Sequence, residues 1–138
     1  MSLSGDARFL VVGAASAFST VPTYAAIYRN NWVKIGQTIR GVEFGNSLSM
    51  SADGNAVVLG GYWNDSNGAD SGLALVYKLS ATGQQWVGVG QELIGEAAGD
   101  QFGISMSIAH DGTRISIGSP LNDGNGEDYG QVRVYELQ

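Results

Sequence analysis

A loop with the pattern Asn-Asp-x-Asn-Gly-x-Asp-x-Gly occurs twice in this 138-residue chain, at positions 64–72 and 122–130. Oxygen-bearing side chains recur through it: Asp65, Asn67 and Asp70 in one copy, Asp123, Asn125 and Asp128 in the other. Calcium takes roughly six to eight oxygen ligands, and carboxylate and amide oxygens at such spacing can supply several of them. These six residues are therefore candidate metal ligands, and calcium is the candidate cofactor. The same residue types also build plain structural loops, because Asn, Asp and Gly tolerate positive φ and bond to nearby backbone. Tyr62, Trp63 and Tyr129 flank the two loops, beside Asn64 and Asn122. Aromatic faces next to amides can hold a sugar ring by stacking and hydrogen bonding, or can pack between sheets.

Other reactive groups are sparse. His110 is the sole histidine, and no nucleophile is spaced to use it as a base. It reads as a surface turn residue. No Gly-rich phosphate loop is expected, since no helix follows any glycine pair. The chain is read as non-catalytic. The enzymatic alternative is a hydrolase or lyase whose active residues lie elsewhere.

The loops are positioned by a repeat. Residues 44–79 align without a gap to residues 102–137, with 16 of 36 positions identical. A period of this size marks a repeat architecture in which the core forms between neighbouring units. Each unit reads as four strands. The first is Phe-Gly-x-Ser-x-Ser, with Leu48 and Met50, or Ile104, Met106 and Ile108, on one face and small serines on the other. The serine face leaves room for a neighbouring sheet. Asp53-Gly54 and Asp111-Gly112 predict tight two-residue hairpins into the second strand, which ends at Gly60 or Gly118. The third strand ends at Tyr77 or Tyr135. The fourth carries Trp and Gly-Gln, at positions 32–41 and 86–95, with both tryptophans expected to be structural. An earlier, incomplete unit contributes the apolar run Phe9 to Val12 with Gly13 and the strand Tyr24 to Tyr28, with Ser2-Leu3-Ser4 aligned only to the end of a first strand and not counted as one. Its loop at residues 16–22 has no carboxylate. The expected division is a partial unit at 1–41, a full unit at 42–95 and a partial unit at 96–138. Ten strands result, in groups of three, four and three.

Composition agrees with an all-β chain. Gly is abundant at 21, hydrophobic residues reach 43% and charged residues only 14%, so turns are many and disorder is not expected. The net charge of −6 disfavours phosphate backbones, so nucleic acid is not an expected partner. No apolar stretch reaches the roughly 18 residues of a membrane helix, and no membrane insertion is expected. With no cysteine, the redox compartment is not indicated. The opening residues superficially resemble a signal peptide. They are read as a strand instead, because Arg8 to Gly13 aligns with strand residues of the later units and no basic stretch precedes them.

Phe44-Gly45 and Phe102-Gly103, Gly118-Ser119-Pro120, and Gly130-Gln131-Val132-Arg133-Val134-Tyr135 resemble the FG-GAP repeat, the blade unit of integrin α-type β-propellers. Gly60-Gly61-Tyr62 departs from the Gly-Ala-Pro element, and Gly13-Ala14-Ala15 keeps two residues of it. The resemblance implies a β-propeller, a recognition role toward protein or glycan, and an extracellular or cell-surface setting. It also implies a calcium loop between the first two strands of a blade. Here that loop is only Ala52-Asp53-Gly54-Asn55 or His110-Asp111-Gly112-Thr113, too poor in carboxylates for the usual family site. A propeller has about four to eight blades, and this chain supplies about two and a half. The expectation is a homo-oligomer that completes the ring, or a structural piece of a larger extracellular propeller protein.

Overall fold

A computed structural model describes residues 1–15 and 22–137. Among them are twelve strands in antiparallel sheets and no helix. Sheet 1 contains β1 (Ser2–Leu3), β2 (Phe9–Ala14), β3 (Pro22–Arg29) and β4 (Val33–Val42), in that order. Sheet 2 contains β5 (Ser47–Met50), β6 (Ala56–Gly61), β7 (Leu73–Leu79), β8 (Trp86–Gly88) and β9 (Leu93–Ile94). Sheet 3 contains β10 (Ser105–Ile108), β11 (Arg114–Ser119) and β12 (Gln131–Glu136). The loop at 16–21 lies outside the described residues.

The strand grouping is thus four, five and three, where three, four and three was expected. Ser2 and Leu3 pair with Val11 and Leu10, which makes a short first strand in sheet 1. In sheet 2 the fourth strand is broken in two. β8 pairs with Tyr77–Leu79 and β9 with Leu73–Ala74, with residues 89–92 looping between. Gly88 and Gly90 sit at this break, and Gly90 has φ +71. A glycine in a strand interior weakens it and favours such irregularity.

The sheets pack face to face in chain order. β6 explains why. All six of its residues are buried, so both faces of sheet 2 are covered. Val57 and Leu59 join Val11, Ala25, Ile27 and Ile39 of sheet 1 in one core. Ala56 and Val58 join Ile108, Ile115 and Ile117 of sheet 3 in the other. A strand covered on both sides must read as a continuous apolar run, and Ala-Val-Val-Leu does. The serine face closes the gap as expected: Ser47 donates to the Gly103 carbonyl, and Ile108 N–H donates to Ser49 Oγ at 3.2 Å.

A Phe-Gly pair opens each later sheet and is buried against the sheet before it. Phe44 lies in the first core and Phe102 in the second, both essentially inaccessible. Gly13 faces Gly45 so closely that an added Cβ would sit 2.8 Å from the Gly45 carbonyl, and Gly60 meets the Gly103 carbonyl in the same way. The turns between first and second strands also form a line across the sheets. Gly5 N–H donates to Ala52 O at 3.0 Å, and Ala52 N–H donates to His110 O at 3.1 Å.

These turns differ from the two-residue hairpins expected. Ser51 N–H bonds Ala56 O and Ala109 N–H bonds Arg114 O, leaving four residues in each loop. Only the glycine takes positive φ, +74 at Gly54 and +68 at Gly112. Asp53 accepts from Ser51 Oγ at 2.6 Å and from Asn55 N–H at 3.0 Å, and Asp111 accepts from Thr113 N–H at 3.0 Å and its hydroxyl at 2.7 Å. Both carboxyls lie below their ordinary pKa. For Asp111 the Thr113 hydroxyl is the main cause; for Asp53 partial burial opposes the shift, and the Ser51 and Asn55 bonds outweigh it. Ala7 occupies the glycine position of the first turn with φ +56.

Truncating the buried ring tests the packing: Phe102→Ala should cost about 3–5 kcal/mol in chemical denaturation. A cost below about 1 kcal/mol would mean that sheet 3 does not depend on this contact.

Candidate functional site

The two repeated loops stand side by side with a connector between them. The connector, residues 95–101, joins β9 to sheet 3. On one flank Gly95, Gly99, Gln101 and Phe102 donate backbone N–H groups to Gly72, Ala69, Asp70 and Ser71. On the other flank the Asn122 amide donates to Asp100 Oδ2 at 2.9 Å and to Glu96 Oε2 at 3.3 Å. Asp100 is buried and also accepts from the N–H groups of Glu96 and Ala97 at 3.1 and 3.0 Å. Arg133 pairs with Glu96 at 3.0 Å and lies 4.9 Å from the centre of the Phe102 ring. Sequence reasoning missed this connector because it falls between repeat units. Its signal was present in the short run Gly95-Glu96-Ala97-Ala98-Gly99-Asp100, which has no counterpart between Gly41 and Phe44.

The loops share one internal design. Asp65 Oδ1 accepts from Asp70 N–H at 2.8 Å, and Asp123 Oδ1 accepts from Asp128 N–H at 2.7 Å. Asn64 Oδ1 accepts from Ser66 N–H at 2.9 Å, and Asn122 Oδ1 from Gly124 N–H at 3.0 Å. Asp70 and Asp128 hold φ +54 and +55. One carboxylate oxygen of Asp65 and one of Asp123 are thus engaged in closing their own loops. No group of three or more His, Cys, Asp or Glu that could hold a metal ion occurs among the described residues.

The copies part at two positions. Asn67 donates to the carbonyls of Gly95 and Glu96 at 3.0 and 2.8 Å, tying its loop to the connector. Asn125, its equivalent, is exposed and makes no such bond among the described residues. Ser71 is buried, with its hydroxyl donating to Asn64 O at 3.1 Å. Its equivalent, Tyr129, is 75% exposed and lays its ring over Gly126.

The aromatics therefore divide. Tyr62 and Trp63 are half-buried and pack on one another, with ring centres 4.4 Å apart. Tyr129 borders a cleft of about 400 Å³. Pro120, Gly130, Gln131, Val132 and Ser119 line it as well. Ser119 is buried and its Oγ has no partner. The cleft thus offers one aromatic face, the Gln131 amide and the exposed Ser105, with the Ser119 hydroxyl sealed beneath. The tryptophans expected to be structural also divide. Trp86 is buried, with its ring N–H donating to Ile35 O at 3.0 Å, whereas Trp32 precedes β4 in a turn at φ +63 and is exposed. His110 sits exposed in its turn.

No protein-family model matches the chain, and no curated protein matches it. No helix among the described residues is long and apolar enough to cross a membrane.

Two outcomes follow from the loop geometry. Asn67→Ala should cost about 1–2 kcal/mol, the loss of two bonds to the connector, whereas Asn125→Ala should stay within about 0.5 kcal/mol of the parent. Equal costs in urea titrations would contradict the asymmetry. Millimolar calcium should leave Tm unchanged; a rise of several degrees abolished by Asp123→Asn would instead place the ion in the loop.

Proposed function

We propose that the chain is a non-catalytic recognition module of β-propeller type, built from FG-GAP-like blades, that binds a glycan or a protein segment through its loop face. Several copies complete the ring. The cleft beside Tyr129 carries this reading. A sugar ring stacked on an exposed tyrosine is held by dispersion and by C–H contacts to the π face, and its hydroxyls need polar partners at the ring edge. Gln131 and the exposed Ser105 line the cleft to supply them. The loop beneath is held by its own hydrogen bonds, so little conformational freedom is lost on binding. Carboxylates crowd this face. Asp65, Asp123, Glu127 and Asp128 are exposed, which favours neutral or basic ligands over anionic ones.

A second reading has its own support. In sheet 2 the counterpart of the cleft is filled by Phe102-Gly103: Gly72 bridges Phe102, and Gly103 packs on the Leu73 carbonyl. A further blade of a larger extracellular propeller protein would fill the cleft of sheet 3 in the same way, and the chain would then be a structural segment.

Glycan-array binding separates the two. The binding reading expects signals from neutral sugars that Tyr129→Ala removes and Trp63→Ala leaves largely intact, since Trp63 is packed on Tyr62. A blank array, together with no peptide binding, would defeat it.

A further inference from the structure

We infer that the outer face of sheet 3 docks on the outer face of sheet 1 in a second copy of this chain, head to tail, and that two copies close on each other through two such contacts. Within the chain, Ala74 and Val76 of β7 are 0% and 6% exposed because sheet 3 covers them. Their equivalents in β12 are Val132 and Val134, which are 70% and 66% exposed. Sheet 3 therefore presents, uncovered, the face that sheet 2 uses to bind its neighbour.

Sheet 1 presents the complementary half. Sheet 3 covers sheet 2 with Met106, Ile108, Ile115, Ile117 and Tyr135, besides Phe102. The repeat places Met1, Leu3, Leu10, Val12 and Tyr28 at those five positions of sheet 1. Met1 and Leu3 are 88% and 58% exposed, and Leu10, Val12 and Tyr28 are only partly covered. One chain thus carries both halves of an interface that it already forms twice internally. The line of turn hydrogen bonds points the same way. It runs from Gly5 to Ala52 to His110. Its outermost groups, the Gly5 carbonyl and the His110 N–H, have no such partner among the described residues.

Charge favours the same pairing. Residues 1–42 carry Arg8, Arg29, Lys34 and Arg40 against Asp6 alone. Residues 96–138 carry Arg114 and Arg133 against seven acids. A basic end facing an acidic end favours head-to-tail contact and penalises head-to-head or tail-to-tail contact. A head-to-tail contact generates a ring where the rotation closes and a filament where it does not. Two copies supply six sheets, within the range of about four to eight in closed propellers. Closure alone rests on the propeller reading; the docking rests on the two faces.

The absence of cysteine from the sequence makes the test clean. Inside the chain, a Cβ on Gly112 would lie 3.2 Å from Ala56 Cβ. The equivalent pair between copies is Ala7 and Arg114, both exposed. Disulfides need Cβ atoms about 3.5–4.5 Å apart, so this pair is near the required geometry. Ala7→Cys and Arg114→Cys chains, oxidised as a mixture, should give a covalent dimer that neither variant gives alone. The doubly substituted chain should give a discrete dimer, and light scattering of the parent should reach twice the monomer mass at micromolar to millimolar concentration. Val134→Lys should weaken association about tenfold or more, and raised salt should weaken it further. A monomeric mass throughout, or dimers from either single variant alone, would overturn the docking. An open-ended ladder from the double variant would overturn the closed pair. Neither mass nor crosslinking depends on the cleft ligand, so a blank glycan array leaves this result untouched.

Discussion

The fold depends on one contact: a phenylalanine and a glycine from the start of each sheet pressed against the sheet before it. The phenylalanine supplies apolar area, about 3–5 kcal/mol when truncated in a core. The glycine supplies approach. Where Gly60 meets Gly103, a Cβ would collide with backbone, so the two sheets come together at a distance that only hydrogen there permits. Around this point everything else falls into register. Ser47 reaches the Gly103 carbonyl, Ser49 caps Ile108, and the turn line from Gly5 to Ala52 to His110 fixes the sheets along their length. No sheet holds its core alone. Val58 is buried by Ile115 and Ile117, and Leu59 by sheet 1.

This explains what could be read from the sequence. The alignment of 44–79 with 102–137 shows one supersecondary unit written twice, and its alternation of serine with apolar residues shows which face must admit a neighbour. Strand content followed from these local patterns. What could not be read depends on contacts between units. The break between β8 and β9 arises at glycines whose cost in a strand is small, so packing decides where the chain bends. Trp32 and Trp86 sit at equivalent positions. One is sealed by Ile35 and the Gln37 amide and the other faces solvent, because Trp86 has a sheet before it on which to pack. The connector at 95–101 belongs to neither repeat, yet it holds both loops.

The loops make the same point for function. Identical motifs at 64–72 and 122–130 close on themselves through identical bonds, so the conserved spacing within the chain reports loop construction. The proposed binding site lies where the copies differ. Asn67 reaches the connector carbonyls, whereas the Ser71 hydroxyl turns inward to Asn64 of its own loop. Asn125 and Tyr129 occupy the same places in the second loop, where both are exposed and the tyrosine stands at the rim of a cleft.

An exposed β12 edge and an apolar sheet face are hazards, since edges pair and apolar faces aggregate without limit. Two features of this chain restrict that outcome. The exposed face of sheet 3 sets Val132 and Val134 beside the Arg114–Glu136 ion pair, so only a partner in the correct register gains from it. The charge gradient adds direction, because the acidic end repels its own kind and attracts the basic end of another copy. In the docking proposed above, both constraints favour the interface that the chain already repeats inside itself, so a unit written more than once would also direct how the two end sheets are covered.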